Sequence, residues 1–398
     1  MALRFQKVVC LFKSNSVRLS LLEPSKLCAA AGVKSGQVAH LTSSHGKPIQ
    51  RPKPWPYKKR PYNIWYQFID HTRKRFDDNT KVIVIEGNLA VGKSEFGEKL
   101  AKEFDMKFFP DSKDDDIYIS PSGFDIRELD EQLPPGARTC DLKTFYSQKV
   151  PKRQLEKIGM TQCNMYHSRF YNYVEALEHL LNTGQGVVVE RSPWSDVVFA
   201  DVLRKFAFLT PNGHSFYNEL RSNTVCELWQ PHVTIYLDAP ISHSREAINK
   251  RNIPWEANSK VLNNDFLQAL ESVYKKKVLP YFSKYGEVIT YDVTDLPDWE
   301  IIVEDLESLD LDSMSDDEPE KFSRWNLSRE DDWNCYRMVL GCKWQMSGMF
   351  NLPRPFDAPE MYISGDDYIP WNKIVAKHKE LLYAPGYNPD KGSTLFRL

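Results

Sequence analysis

Eight residues, Gly87-Asn-Leu-Ala-Val-Gly-Lys-Ser94, have the spacing G-x-x-x-x-G-K-S/T, the pattern of a loop that wraps a polyphosphate. Gly87 and Gly92, with Asn88 and Ala90 between them, let the backbone turn so that amides opening the next helix face phosphate oxygens. Lys93 supplies an ammonium group for the β- and γ-phosphates, and the Ser94 hydroxyl is a ligand for Mg²⁺. A second group, Glu190-Arg191-Ser192, ends a β-branched run. Ligands of parallel sheets collect beyond the carboxyl ends of strands, so Arg191 is placed to stabilise charge on a moving phosphoryl group. The same residues also read as a structural ion pair, and Ser192-Pro193 as a helix N-cap followed by proline.

These groups need a sheet to hold them. Short β-branched runs at 81–86, 186–190 and 233–237 read as buried strands, Met-Lys-Phe-Phe at 106–109, ended by Pro110, as a second short strand, and 287–291 as the fifth. Between them, helical periodicity marks 93–104, 162–182 with Gly184 as its stop, a start near Ser242, 263–277 and 298–306. Alternation of strands and helices specifies an α/β fold: a parallel sheet with helices on both faces. Residues 111–155 are polar and read as loops and short helices, and 64–76 has helix-like spacing. Beyond the acidic stretch at 304–320 lie two further helical segments, about 328–347 and 371–382, in a region that holds Trp325, Trp333, Trp344 and Trp371. An α/β core has its sheet by residue 291, so this helical extension needs either the core or another protein to pack on.

The chain of 398 residues is 41% hydrophobic and 27% charged, enough for a packed core. No run reaches the roughly 18 apolar residues of a membrane span. Seven cysteines without a C-x-x-C argue against structural zinc and a disulfide framework. The net charge of −2 hides an asymmetry: residues 1–60 carry 12 Lys or Arg and one acid, leaving the rest at −13. An acidic body has no general attraction for nucleic acid. Residues 1–40 have the basic, Ser-containing, amphipathic composition of a mitochondrial transit peptide. Residues 47–61, with five prolines and six cations, read as an extended tether suited to an acidic protein surface, to lipid headgroups or to solvent. The domains expected are 1–40, presequence; 41–80, tether and short helix; 81–310, phosphate-binding domain; and 311–398, a docking extension.

Gly87 to Ser94, Gln162 to Arg169 and Glu190 to Asp196 (ERSPWSD) resemble the deoxyribonucleoside kinases. The resemblance covers about 81–310 and implies a P-loop kinase-like fold with a five-stranded parallel sheet. It also implies a base-reading glutamine at Gln162, an E-R-S arginine at Arg191, a base-contacting carboxylate at Asp196 and a cationic lid. The stretches EALEHLLNTGQGVVVERSPWSD, PHVTIYLDAP, VYKKKVLP and APGYN are similar to a nearer branch, the nucleoside-kinase-like accessory subunits of mitochondrial respiratory complex I. That branch implies other complex I subunits as partners, a peripheral place on the matrix side of the inner membrane, and a purine nucleotide or deoxynucleotide with Mg²⁺. FAD is attributed to the branch, but no G-x-G-x-x-G fingerprint supports it in this sequence.

The transfer machinery departs from the family pattern. A glutamate is expected after the second strand to take the proton of the nucleoside 5′-hydroxyl; the equivalent position is Asp111, shorter by one methylene, and misplacement of ~1 Å costs ~10²-fold. The tryptophan motif after it is replaced by SKDDDIYI, and the lid keeps Arg245, which is out of register, with Lys250 and Arg251. Lysine is a poorer bidentate clamp than arginine. The expected function is a non-catalytic, nucleotide-binding subunit. The alternative is an active kinase with Asp111 as base and Arg191 and Lys93 stabilising the transferred charge.

Overall fold

The computed structural model describes residues 41–311, 318–352 and 356–383; the expected presequence and the APGYN stretch lie outside them. Five strands form one parallel sheet: β1 (Val82–Gly87), β2 (Lys107–Phe109), β3 (Val187–Glu190), β4 (Val233–Asp238) and β5 (Glu287–Asp292), in the order β2-β3-β1-β4-β5. Each expected strand is present within about a residue. The β-branched runs are fully buried in β1 and β3, as parallel strands covered on both faces require. Register aligns Ile85 with Glu190 and Val189 with Phe109. The residues just after β1, β2 and β3 therefore emerge side by side at one edge of the sheet.

Side chains alternate across the sheet. Val82, Val84, Val187 and Val189 face one apolar layer; Ile83, Ile85, Val188 and Ile235 face the other. On the second face lies α1 (Lys93–Glu103), contributing Phe96 and Leu100. The first face is covered by the 26-residue α2 (Ile158–Thr183), which buries Phe170, Val174, Leu177 and Leu181 and ends at Gly184 with φ 78°. α3 (Val197–Lys205) and α4 (Pro211–Val225) complete this layer. α5 (Ile241–Arg251), α6 (Asn264–Val273) and α7 (Trp299–Glu307) follow.

Some elements differ from the sequence pattern. Residues 64–76 make two 3₁₀ turns, Ile64–Phe68 and Arg73–Arg75, and not one helix, because the segment is pinned at both ends to the extension: Tyr62 and Thr72 both donate to Asn334 Oδ1, at 3.2 and 2.7 Å. α4 has no counterpart in the sequence pattern, and α3 begins later than a cap at Ser192-Pro193 places it. The polar α4 is held at its start by the Thr210 side chain, which accepts from Gly213 N at 3.0 Å. The carboxylate of Glu360, from the extension, also accepts from Thr210 N at 3.1 Å. The tether runs over the body of its own chain: Arg51 pairs with Asp77 at 2.6 Å and Asp105 at 2.7 Å, and Tyr57 reaches His179 at 2.9 Å.

The extension contributes α8 (Glu330–Gly341) and α9 (Gly365–Val375) with shorter turns. Trp325, Trp333 and Trp371 face inward. Trp333 stands edge-on to Phe76 and Trp229 at 5.0 and 5.2 Å, Trp325 donates to Gln230 O at 2.7 Å, and Trp371 joins Leu129 and Leu133. Arg337 is wholly buried between Asp70 (2.6 Å) and Asn182 (2.7 Å). These rings are thus bound to the chain's own core and are not exposed anchors.

Candidate functional site

The loop after β1 folds as its glycines require. Gly87 has φ 152°, and a Cβ there would sit 2.7 Å from Leu237 O, so only glycine fits. Gly92, at φ 82°, caps α1 in the left-handed region, with open space where its side chain would be. Ala90 also has positive φ, 62°, a strain of about 1–2 kcal/mol for a non-glycine residue. Asn88 pins the loop to α6 through Nδ2 and Leu267 O at 3.0 Å. Lys93 is buried, and its ammonium donates to Asn88 O at 2.7 Å. Burial, then the Arg191 charge, pull its pKa down to about 7 against Glu190, Asp111 and Glu86. Ser94 Oγ donates to Glu190 Oε2 at 2.8 Å, placing a hydroxyl and a carboxylate together where Mg²⁺ beside a polyphosphate needs oxygen ligands. The loop therefore fits the anion expected of it.

Beside the loop, Asp111 is held by two arginines. Arg169 approaches it bidentately, Nε to Oδ1 at 2.8 Å and Nη2 to Oδ2 at 3.0 Å, and Arg191 Nε lies 3.2 Å from Oδ2. Burial alone would push the Asp111 carboxyl up, but Arg169 by charge and hydrogen bond, then Arg191 and Lys93, hold it below the usual carboxylate value. Such a carboxylate is a weak proton acceptor. Arg191, itself at φ 60°, donates to Tyr274 Oη at 2.5 Å and lies over the Phe199 ring at 4.8 Å. Ser192 does not cap a helix; its amide and hydroxyl donate to Glu86 Oε1 at 3.0 and 2.8 Å, and α3 starts only after Asp196.

Asp196 is the second focus. Gln162 Nε2 donates to its Oδ2 at 2.8 Å, Tyr217 Oη to the same oxygen at 2.5 Å, and Arg169 Nη1 to Oδ1. The structure thus joins Gln162, Asp196, Asp111 and Arg191 into one buried network whose link is Arg169. Lys250 and Arg251 stand exposed at the end of α5; among the described residues neither is hydrogen-bonded to the loop. Arg245 turns away to Asn264 at 3.3 Å and to Leu262 O. Sequence reasoning missed Arg169, Glu86, Tyr217 and Tyr274. Arg169 had a signal: it lies seven residues after Gln162, two turns along the same helix face. Glu86 had one too, as a charged residue ending a buried strand, and it is fully buried with its carboxyl pushed up by that burial. The two tyrosines come from distant helices and carry no local signal.

The family model for deoxynucleoside kinases matches residues 83–326. The chain belongs to the deoxynucleoside kinase family. Within the family it is similar to "NADH dehydrogenase (ubiquinone) 1 alpha subcomplex subunit 10, mitochondrial" of Mus musculus, 32% identical over 328 residues, 81% of this chain and 85% of that one. It is also similar to the "Deoxyguanosine kinase" of Dictyostelium discoideum, 25% identical over 236 residues, 59% of this chain and 72% of that one. Among solved structures, the deoxyadenosine kinase of M. mycoides with bound dATP aligns at 17% identity and TM-score 0.41, over 57% of this chain and 100% of that one. The deoxynucleoside kinase match ends at residue 326, before α8, so the Arg337 anchor belongs to a part of the chain that the family model does not cover.

Proposed function

We propose that this chain is a non-catalytic accessory subunit of mitochondrial NADH:ubiquinone oxidoreductase that keeps a nucleotide in its P-loop to stabilise its fold and its place in the complex. The observation that carries the non-catalytic part is Asp111: the only carboxylate at the position of the family's base has both oxygens engaged by Arg169 and Arg191. Similarity to the mouse subunit over four-fifths of the chain supports the assignment to the complex and to the mitochondrion; a peripheral place on the matrix side is part of the proposal. Among the described residues no helix is long and apolar enough to cross a membrane.

A purine nucleotide or deoxynucleotide would be held by the Gly87–Ser94 loop and Lys93, with Mg²⁺ on Ser94 and Glu190. Bound nucleotide supplies only mass-action stabilisation here: about 2.7 kcal/mol at a concentration of 100 Kd. The chain's own residues do the rest. Lys93 takes up a proton beside the phosphates, and Arg191 is fixed by Tyr274 against Asp111, leaving no free base. The test is comigration with the respiratory complex on a native gel, with mass spectrometry of co-purified nucleotide. A particle free of this chain would refute the subunit reading. Turnover of a deoxynucleoside by Mg-ATP, lost in Asp111→Ala, would replace it with the active kinase.

A further inference from the structure

The three most exposed large hydrophobic side chains among the described residues stand on one turn. Trp65, Phe68 and Ile69 are 74%, 73% and 81% exposed; Trp65 and Phe68, three apart, eclipse on one face of the 3₁₀ turn, and Ile69 follows at its end. The turn is not loose. Asn63 caps it, its side chain accepting from Trp65 N at 3.1 Å. Trp55 packs on Tyr66 with ring centroids 4.4 Å apart and planes tilted by 50°, and buried Tyr62 lies under Arg337 at 3.8 Å and donates to Asp70 O at 2.9 Å. The apolar face is therefore presented ready-made, without an ordering cost on binding.

Its surroundings are cationic. Lys58, Lys59 and Arg60 are exposed on the approach to the turn, and Trp55 Nε1 donates to Arg60 O at 3.0 Å, which keeps that triplet beside the Trp55–Tyr66 pair. Arg73 and Lys74 are exposed just beyond the turn. The one acid between residues 53 and 74, Asp70, is already engaged by Arg75 and Arg337. What covers this face must be anionic around an apolar centre. Lysine is depleted in protein–protein interfaces, whereas basic residues around Trp and aliphatic side chains are the composition of surfaces that sit in a lipid headgroup layer. We propose that this face docks the protein on an anionic lipid surface, with Trp65, Phe68 and Ile69 inserted among the headgroups and the flanking cations on lipid phosphates. The proposal is independent of the nucleotide site.

The test is partition of the full chain onto vesicles of phosphatidylcholine with and without about one-third phosphatidylglycerol. Wild type should bind the anionic vesicles and release in high salt. Lys58→Gln/Lys59→Gln/Arg60→Gln should weaken partition about 10²-fold, at roughly fivefold for each charge. Trp65→Ser/Phe68→Ser/Ile69→Ser should fall to background on the same vesicles. Residues 1–40 are common to all three proteins, so differences belong to the face. Both variants change exposed residues and should melt with wild type. Unchanged partition of either variant overturns the proposal. So does an apolar variant that binds vesicles normally but no longer comigrates with the respiratory complex, which would assign the face to a protein partner.

Discussion

Replacing Arg169 with methionine removes the link of the buried network while keeping the length of the side chain. Three charge-assisted hydrogen bonds are lost, two to Asp111 at 2.8 and 3.0 Å and one to Asp196. Asp111 keeps Arg191 at 3.2 Å and the Ser112 amide at 2.8 Å, and Asp196, whose side chain is wholly buried, keeps Gln162 and Tyr217. Removing one partner of a buried ion pair costs about 3–5 kcal/mol; the remaining donors place the expected loss near 3 kcal/mol. The pH dependence has a definite sign. In wild type the Asp111 carboxyl is held below its ordinary 3.8, so its contribution is full above about pH 4 and disappears as pH falls through the folded value. In Arg169→Met burial dominates and the carboxyl moves up; the native state then takes up a proton earlier than the unfolded chain. The gap between the proteins should narrow as pH falls from 7 towards 4. Urea denaturation at pH 7 and 4.5 measures it. A gap under about 1 kcal/mol at pH 7, the range of an exposed pair, or one that does not change with pH, would refute the reasoning.

Three further outcomes are expected. Because Lys93 is held at about 7, it is mostly neutral at pH 8 and charged beside a polyphosphate, so Mg-ATP binding at pH 8 should take up nearly one proton; calorimetry in two buffers of different ionisation enthalpy reads it, and zero uptake would contradict the assignment. Lys93→Met should abolish the Mg-ATP shift in melting temperature without lowering the melting temperature of the free protein. Arg337→Met, at a fully buried guanidinium paired with Asp70, should destabilise the whole chain by about 3–5 kcal/mol in urea denaturation; a loss confined to the extension would show that α8 is not part of the core.

The sheet was legible because β1, β3 and β4 are short β-branched runs buried on both faces, and because Lys-Phe-Phe of β2 is stopped by Pro110 and the half-buried β5 keeps a Val-Ile-Thr-Tyr run. The loop at Gly87–Ser94 was legible because its conformation needs glycine at fixed places. The 3₁₀ turns at 64–75 were misread because Trp65, Phe68 and Ile69, which carry the helix-like spacing, are exposed, while the path of the chain is set by Tyr62 and Thr72 on Asn334, more than 260 residues away. α4 escaped notice because its Pro-Asn-Gly-His-Ser start is turn-like; the helix depends on Thr210 and on Glu360, 150 residues away. The extension's tryptophans invited a docking reading for the same reason: sequence shows that an aromatic ring needs a partner, not which one.

The site itself explains why binding and transfer can separate. A P-loop works through backbone amides and one lysine, all set by local sequence, and it survives changes elsewhere in the chain. Proton abstraction needs a carboxylate with a free lone pair at a given distance from the nucleoside hydroxyl. At Asp111 both oxygens are engaged by guanidinium groups, and the same contacts tie α2 to the ends of β2 and β3 and, through Asp196, to the start of α3. An arginine that neutralises the base thus also joins the elements around the site. Restoring a longer base by Asp111→Glu would push the carboxylate into Arg169 or Arg191 and break those contacts, so the substitution should lower stability without creating turnover. Measurable phosphorylation of a deoxynucleoside by that single variant would show that the arginine clamp does not prevent a carboxylate at position 111 from acting as a base.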